Sequence, residues 1–423
     1  MSSRRDFLIK TVGGAAAAGL LGKSGFELNA QEAKNTQSHK GTGAAAQPIT
    51  RVLGKTGIKI PVVSMGVMNA DNPALVKRSF ELGIRHFDTA AGYQKGRNEE
   101  MVGRVIKELT AREQAIIATK INPGRPEILD QMGDKLIEND FLDRLDKSLA
   151  RLQTDYVDIL YIHGVSDPLM LKRPGLLAAL DKAKKSKKAR FVGFSTHQRM
   201  ADCLEAAALA GQFDVILTAI NYSMFDDNAL LEAMKKAAAA GIGLVAMKTQ
   251  CKQSWYRDGG PESSKSYYDG TLINAALLKW ALRLESVATA VPGYTTFQQL
   301  DMDWPVAYDL EYTPEEVKFL ADRNVRLAMG SVCRQCAGCA GTCPHGVDVP
   351  ALLRVHMYAA DYNNFLQARQ ALDEIQPEAG LKNCGDCHQG CKATCVRGVR
   401  IARRLEELKT IFAPDLSARQ WPG

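Results

Sequence analysis

The chain of 423 residues is too long for one small domain, and its composition, 46% hydrophobic and 24% charged, supplies ample material for a buried core. A net charge of +7 is mild for this length, and without a basic patch interleaved with aromatics it argues against nucleic acid as a partner. The ten cysteines are uneven: Cys203 and Cys251 stand alone, while the rest crowd between Cys333 and Cys395.

At the N-terminus, Arg4 and Arg5 precede a weakly apolar Ala/Gly run from Val12 to Gly22. This pattern resembles a twin-arginine export signal, here over 1–30, and the run is too short to span a bilayer. The ordinary alternative is a disordered basic start of a cytoplasmic protein. Residues 31–50 are polar and Gly/Ala-rich, as expected of a flexible linker. The expectation is an exported, periplasmic protein with no membrane span once the signal is removed. The twin-arginine route carries folded cargo. It suits a protein whose metal cluster is inserted before export, and a nicotinamide alone gives it little reason.

From residue 51 the pattern becomes regular. A turn-centred hairpin over 51–61 leads to a first strand near 62–66. Helical periodicity over 74–82, 99–109, 138–152, 176–187, 199–210, 229–240 and 273–284 then alternates with strand-like runs. The runs fall at 84–87, 115–119, 157–162, 191–194, 215–220, 243–246 and 288–291, and one more helix fits 313–328. Such alternation predicts an α/β fold, a (β/α)8 TIM barrel over 51–330, rather than an all-α or all-β chain. A doubly wound sheet is the rival, but the first strand has no Gly-rich fingerprint after it.

Successive strands deliver polar residues at their carboxyl ends, the active-site face of such a barrel. Asp88 ends the run Ile84-Arg85-His86-Phe87, and Tyr93 follows in a Gly-containing loop. Lys120 ends the third strand and His163 follows the fourth. A carbonyl that accepts hydride needs a proton donor at its oxygen. Tyr93 is a poor acid–base at neutral pH unless a cation stabilises its phenolate, and Lys120 can be that cation with Asp88 holding it in place. His163 can orient the substrate oxygen. Singly, each has an ordinary reading as a satisfied core His, a strand-end salt bridge or a surface Tyr.

With Arg51-x-Leu53-Gly54-x-Thr56-Gly57, Phe87-Asp88-Thr89-Ala90-x-x-Tyr93, Thr119-Lys120, Ile162-His163 and Val192-Gly193-Phe194-Ser195, residues 51–300 resemble the aldo-keto reductase family. The resemblance implies hydride transfer between a nicotinamide, NAD(P)(H), and a small carbonyl or alcohol, with Asp88, Tyr93, Lys120 and His163 as the catalytic tetrad. It also implies that Ser195, Asn221, Tyr222, Gly293, Thr295 and Gln299 bind the cofactor. The chain departs from the family pattern at Thr196, Ala219 and Met247, where Asn, Gln and an aromatic are common. The loop Val291–Leu300 lacks the usual basic residue, and no Lys or Arg occurs between Arg283 and Lys318. A 2′-phosphate would miss its customary cation. A long polar loop over 249–270 carries Trp255 and Tyr256, which either stack on a ring of the substrate or pack on the barrel rim.

Cys333-x2-Cys336-x2-Cys339-x3-Cys343-Pro344 reproduces the bacterial ferredoxin run, and four thiolates this closely spaced favour a cubane over zinc. The second run, Cys384-x2-Cys387-x3-Cys391-x3-Cys395, has one extra residue and Val396 in place of Pro. With helical stretches over 350–361 and 365–375 between the runs, residues 331–412 resemble the small all-α, ferredoxin-like two-cluster domain appended to some aldo-keto reductases; 413–423 is a tail. That resemblance implies two [4Fe-4S] clusters, one on Cys333, Cys336, Cys339 and Cys395, the other on Cys384, Cys387, Cys391 and Cys343. Cys384-Gly385-Asp386-Cys387-His388 also spells the c-type haem attachment motif. Haem is attached to an unfolded chain after export, which conflicts with folded export and strands Cys391 and Cys395. Disulfides are the other rival in an oxidising compartment. Lys382, Lys392, Arg397, Arg400, Arg403, Arg404 and Lys409 outnumber the acids around the second run and could offset cluster charge, although Arg403, Arg404 and Lys409 read more simply as a solvated helix face.

The expectation is an exported oxidoreductase that passes electrons between a carbonyl or alcohol and the clusters, with a redox partner protein or carrier beyond them. The alternatives are an ordinary nicotinamide reductase with structural clusters, and a non-catalytic electron-transfer or binding protein on a retired barrel.

Overall fold

The computed structural model describes residues 47–250, 270–330, 332–362, 364–385, 387 and 391–413. The export signal, nearly all of the linker and of the 249–270 loop, Cys251, His388 and nearly all of the tail lie outside the described residues. Among those described, no helix is long and apolar enough to cross a membrane.

A short antiparallel hairpin, β1 (Thr50–Val52) and β2 (Lys59–Pro61), comes first. Gly57 turns it at φ +72, and a Cβ on Gly54 would stand 2.3 Å from the backbone N of Gly243, so only glycine lets the hairpin seat this closely. Its buried Leu53, Ile58 and Ile60 pack against Ile116, Ile159, Val215 and Val245 inside the barrel, plugging one end. Eight parallel strands follow: β3 (Met65–Gly66), β4 (His86–Asp88), β5 (Ile116–Ile121), β6 (Val157–Ile162), β7 (Ala189–Thr196), β8 (Val215–Ala219), β9 (Gly243–Met247) and β10 (Val287–Ala290). Bridges from Val63 to Ala290 and from Gly66 to Gly293 close the ring. Gly193 of β7 has no room for a Cβ, which would lie 1.7 Å from the carbonyl oxygen of Val215 on β8. The fold is a (β/α)8 barrel followed by a helical C-terminal region.

One expected helix breaks in two. The stretch 313–328 forms Pro314–Ala321 and Arg323–Gly330. Thr313 and Glu316 make a capping box at the first start. Asp322 leaves helical geometry with ψ 123 and accepts a hydrogen bond from the Asn324 amide, so an Asp that could have been helical instead starts the next helix.

The C-terminal region comprises helices Val349–His356, Phe365–Asp373, Lys382–Gly385 and Ile401–Ile411. Val349, Leu352, Val355, Ala368, Val399, Leu405 and Leu408 form its separate apolar core. The first of these helices runs on into a wider π turn, Met357–Asp361. Met68 from the barrel mouth packs against this core, Asn364 donates to Asn69, and Arg334 pairs with Asp226 at 2.6 Å. The helical region therefore rests on the carboxyl ends of the strands, where a barrel carries its chemistry.

Candidate active site

Strand alternation sets the site. On β5, Thr119 and Lys120 are neighbours and so point to opposite sides of the barrel wall. Thr119 faces outward and donates to Glu99 at 2.5 Å, and Glu99 is held in turn by Arg151 at 2.6 Å. Lys120 faces inward. Its Nζ donates to Asp88 at 2.5 Å, to the Thr89 carbonyl at 2.6 Å and to the Tyr93 hydroxyl at 3.2 Å. The His163 ring meets Tyr93 edge-on with centroids 5.7 Å apart. The four residues thus converge at one end of the barrel, lining a cavity of about 270 Å³.

Burial decides the electrostatics. It pushes Lys120 down and Asp88 up, and each opposes the other's shift through the ion pair. Burial, then the cations Lys120, Lys248 and Arg354, pushes His163 down to about 3, so the imidazole is neutral and keeps one N–H to donate. Tyr93 differs from expectation. Burial and the Asp88 charge push it well above its usual value, because Asp88 beside the ammonium cancels much of its field at the phenol. The resting Tyr93 is a neutral phenol, and Lys120 helps only as negative charge develops on its oxygen.

The residues expected to hold a cofactor divide. Ser195, Asn221, Gly293, Thr295 and Gln299 line the tetrad's cavity, as does Met247. The Ser195 oxygen accepts from the Gly164 amide at 2.9 Å, which leaves its proton for a ligand. Asn221 is largely engaged: its oxygen accepts from the Ser223 amide and hydroxyl, and its nitrogen donates to the Lys248 carbonyl at 3.1 Å. Gln299 caps its helix by accepting from the Thr295 and Thr296 amides. Tyr222 turns away, stacking on Phe225 and bonding the Leu320 carbonyl, and is not part of the lining.

Sequence reasoning passed over several cavity residues. Lys248 and His197 follow barrel strands, the same signal that selected Lys120 and His163. Gln335, Met357, Tyr358, Tyr362 and Arg404 come from the C-terminal region, whose place over the mouth no local pattern announces. Arg404, read as part of a solvated face, is 1% exposed, because it falls on the stripe of Ile401, Leu405 and Leu408 that faces the core.

The cysteines gather in two fours. Cys333, Cys336, Cys339 and Cys395 line one small cavity, and Cys343, Cys384, Cys387 and Cys391 line another. Burial and then neighbouring thiols push Cys339 and Cys384 up to about 11. Among the described residues no three His, Cys, Asp or Glu donors close on a single ion. Thiols around a cubane bind separate irons and stand farther apart than the ligands of one ion, so that result bears on zinc more than on a cluster. Cys333 also lines the tetrad's cavity.

Residues 64–257 match the model of the aldo/keto reductase family. The L-galactose dehydrogenase of Arabidopsis thaliana is 27% identical over 62% of this chain and 88% of its own length. The L-glyceraldehyde 3-phosphate reductase of Escherichia coli K12 is 28% identical over 66% of this chain and 95% of its own. Among solved structures, an aldo-keto reductase from Klebsiella pneumoniae in complex with NADPH superposes with a TM-score of 0.50 at 20% identity, over 66% of this chain and 96% of that one. About a third of this chain lies outside each of these alignments.

Proposed function

We propose that this chain, matched over residues 64–257 by the aldo/keto reductase family model, is an oxidoreductase acting on carbonyls and alcohols that couples that reaction at Asp88, Tyr93, Lys120 and His163 to two [4Fe-4S] clusters. The observation that carries the coupling is Cys333, which lines both the tetrad's cavity and the first four-cysteine cavity. Each cavity offers the thiol set a cubane needs, Cys333, Cys336, Cys339 and Cys395 in one and Cys343, Cys384, Cys387 and Cys391 in the other. When bound, such clusters exchange single electrons with whatever lies beside them. A nicotinamide, when bound, supplies or accepts hydride at the carbonyl carbon. Ser195, with a proton left to donate, and Gly293 and Thr295 on the last loop are the residues that would hold it.

The chain's own residues manage the proton. His163, neutral, donates a hydrogen bond to the substrate oxygen and orients it. As charge grows on that oxygen, the Tyr93 phenol gives up its proton. Lys120, already 3.2 Å from the phenol oxygen, stabilises the phenolate without reorganisation, and Asp88 keeps the ammonium charged and aimed. The reverse sequence oxidises an alcohol.

We also propose export by the twin-arginine route, supported by Arg4, Arg5 and the short apolar run. Anaerobic purification with iron and sulfide counts, assay of nucleotide released on denaturation, and turnover with an artificial electron carrier test the whole reading. About eight irons per chain and carrier-dependent turnover are expected. A colourless, zinc-loaded protein that turns over only with added NADPH would leave an ordinary reductase.

A further inference from the structure

Lys248 follows β9 with a backbone φ of +58, a region few non-glycine residues adopt. Its Nζ is buried and has no hydrogen-bond partner among the described residues. It lines the tetrad's cavity, where the Tyr358 ring lies 5.4 Å from it. An ammonium taken out of water beside one ring face, with the Arg354 charge also acting against it, is costly, so a ligand that answers it is strongly favoured. Arg334, 3% exposed, lines the same cavity in the same condition. Its Nη2 bonds Asp226, while Nε and Nη1 are buried without partners. Carboxylates of this cavity are engaged elsewhere. Asp88 holds Lys120, and Asp303 accepts from Gln250 at 2.8 Å.

The two cations also lie on a particular side. The charge of Lys248 is among the causes that push both His163 and His197 down, so it lies near His163, the residue that orients the substrate oxygen. Arg334 is the chain neighbour of Cys333 and lines both the tetrad's cavity and the first cysteine cavity.

We propose that Lys248, together with Arg334, binds a carboxylate or phosphate carried by the carbonyl or alcohol substrate, so that the enzyme selects oxo or hydroxy acids and phosphorylated aldehydes over neutral ones. This rests on the tetrad as the reacting centre. It adds a second anchor that fixes which end of the substrate reaches Tyr93.

The test uses full-chain protein purified anaerobically and isothermal titration with 4-(hydroxymethyl)benzoate, benzyl alcohol, inorganic phosphate, NADH and NADPH. Alcohols avoid imine formation on Lys248. The carboxylated alcohol should bind about tenfold or more tightly than benzyl alcohol, the gain of a charge-assisted hydrogen bond, and phosphate should compete with it alone. Lys248→Met should erase the preference and Lys248→Arg should keep part of it, with both nucleotides binding as before. Equal affinities in the wild type, or an undiminished preference in Lys248→Met, would overturn the proposal. So would a Lys248→Met protein that loses nucleotide affinity and keeps the carboxylate preference, which would assign the anion to the nucleotide. Tyr93→Phe separates the two readings: it should keep the preference and lose turnover, and full turnover in that variant would remove the tetrad mechanism while leaving the binding result standing.

Discussion

The tetrad and the first four cysteines share a stretch of cavity wall, yet the chain prepares them in opposite ways. Lys120 has three hydrogen-bond acceptors within 3.2 Å, and the strand beneath it is braced on its outer face by Thr119, Glu99 and Arg151. The cysteine sulfurs are met instead by backbone amides, Arg397 at 3.4 Å from the Cys395 sulfur and Gln335 at Cys333. A proton-transfer site must be rigid before substrate arrives, because misplacement by an ångström forfeits rate. A metal site can take its geometry from the metal, whose binding energy becomes folding energy. Perturbations should therefore divide the molecule, with barrel variants losing stability or turnover at constant iron and cysteine variants losing iron first.

Acid should give the largest effect, and it should strike the barrel. Burial pushes His86 and His163 down to about 3 from an ordinary 6.5, and His197 well below it too. The unfolded chain binds these protons first, so the stability they contribute is fully present above pH 6.5 and is lost as pH falls towards 3. Denaturant midpoints should fall steadily from pH 6.5 to 4, while the His86, His163 and His197 resonances of the folded protein stay flat between pH 8 and 5. A titration of His163 within that window would break the account of it as a neutral donor.

Tyr93→Phe comes next, lowering turnover by about 10²-fold or more with iron content and circular dichroism unchanged. Glu99→Gln follows. It removes the charge that Arg151 and Thr119 share outside the barrel wall, and should cost about 2 kcal/mol, below the full cost of breaking a buried pair because Arg151 is 25% exposed. Urea unfolding measures it, and an unchanged midpoint would show that the brace contributes little. Smaller again is a twofold change in iron. Cys343→Ala should remove the same half of the iron as Cys387→Ala, and Cys395→Ala the same half as Cys336→Ala. Losses that follow the sequence runs instead would refute the crossed pairing.

The comparison also explains what was legible. The barrel could be read because its polar residues end or closely follow apolar strands, a signal carried within a few residues, as at Phe87-Asp88 and Ile162-His163. The cysteine spacing was legible for the same reason. Tyr358 over Lys248, Asn364 against Asn69 and Arg334 on Asp226 were not, since nothing near either partner in the sequence encodes the contact. Tyr222 shows the converse. It closely follows a strand end and so invites a cofactor role, but the later helix Pro314–Ala321 supplies the carbonyl that takes its hydroxyl. Local pattern tells where a side chain starts, and distant packing decides where it ends.

The smallest expected effect concerns the nucleotide, and it is informative because it should be nearly absent. In reductases that prefer NADP a cation meets the 2′-phosphate, and the gain of such a charge-assisted contact is about tenfold or more. Here the last cofactor loop offers Thr295, Thr296 and Gln299, with no Lys or Arg between Arg283 and Lys318. Gln299 is already spent on the amides of Thr295 and Thr296, and Thr296 caps the helix by accepting from the Gln299 amide. A 2′-phosphate would therefore meet helix-cap groups in water rather than a fixed charge from this loop. Dissociation constants for NADPH and NADH should agree within about threefold, and added salt should leave their ratio unchanged, since no ion pair separates them. A tenfold preference for NADPH that collapses with salt would mean that a cation reaches the 2′-phosphate from elsewhere in the chain, and would shift the basic groups of the cavity from substrate selection to nucleotide binding.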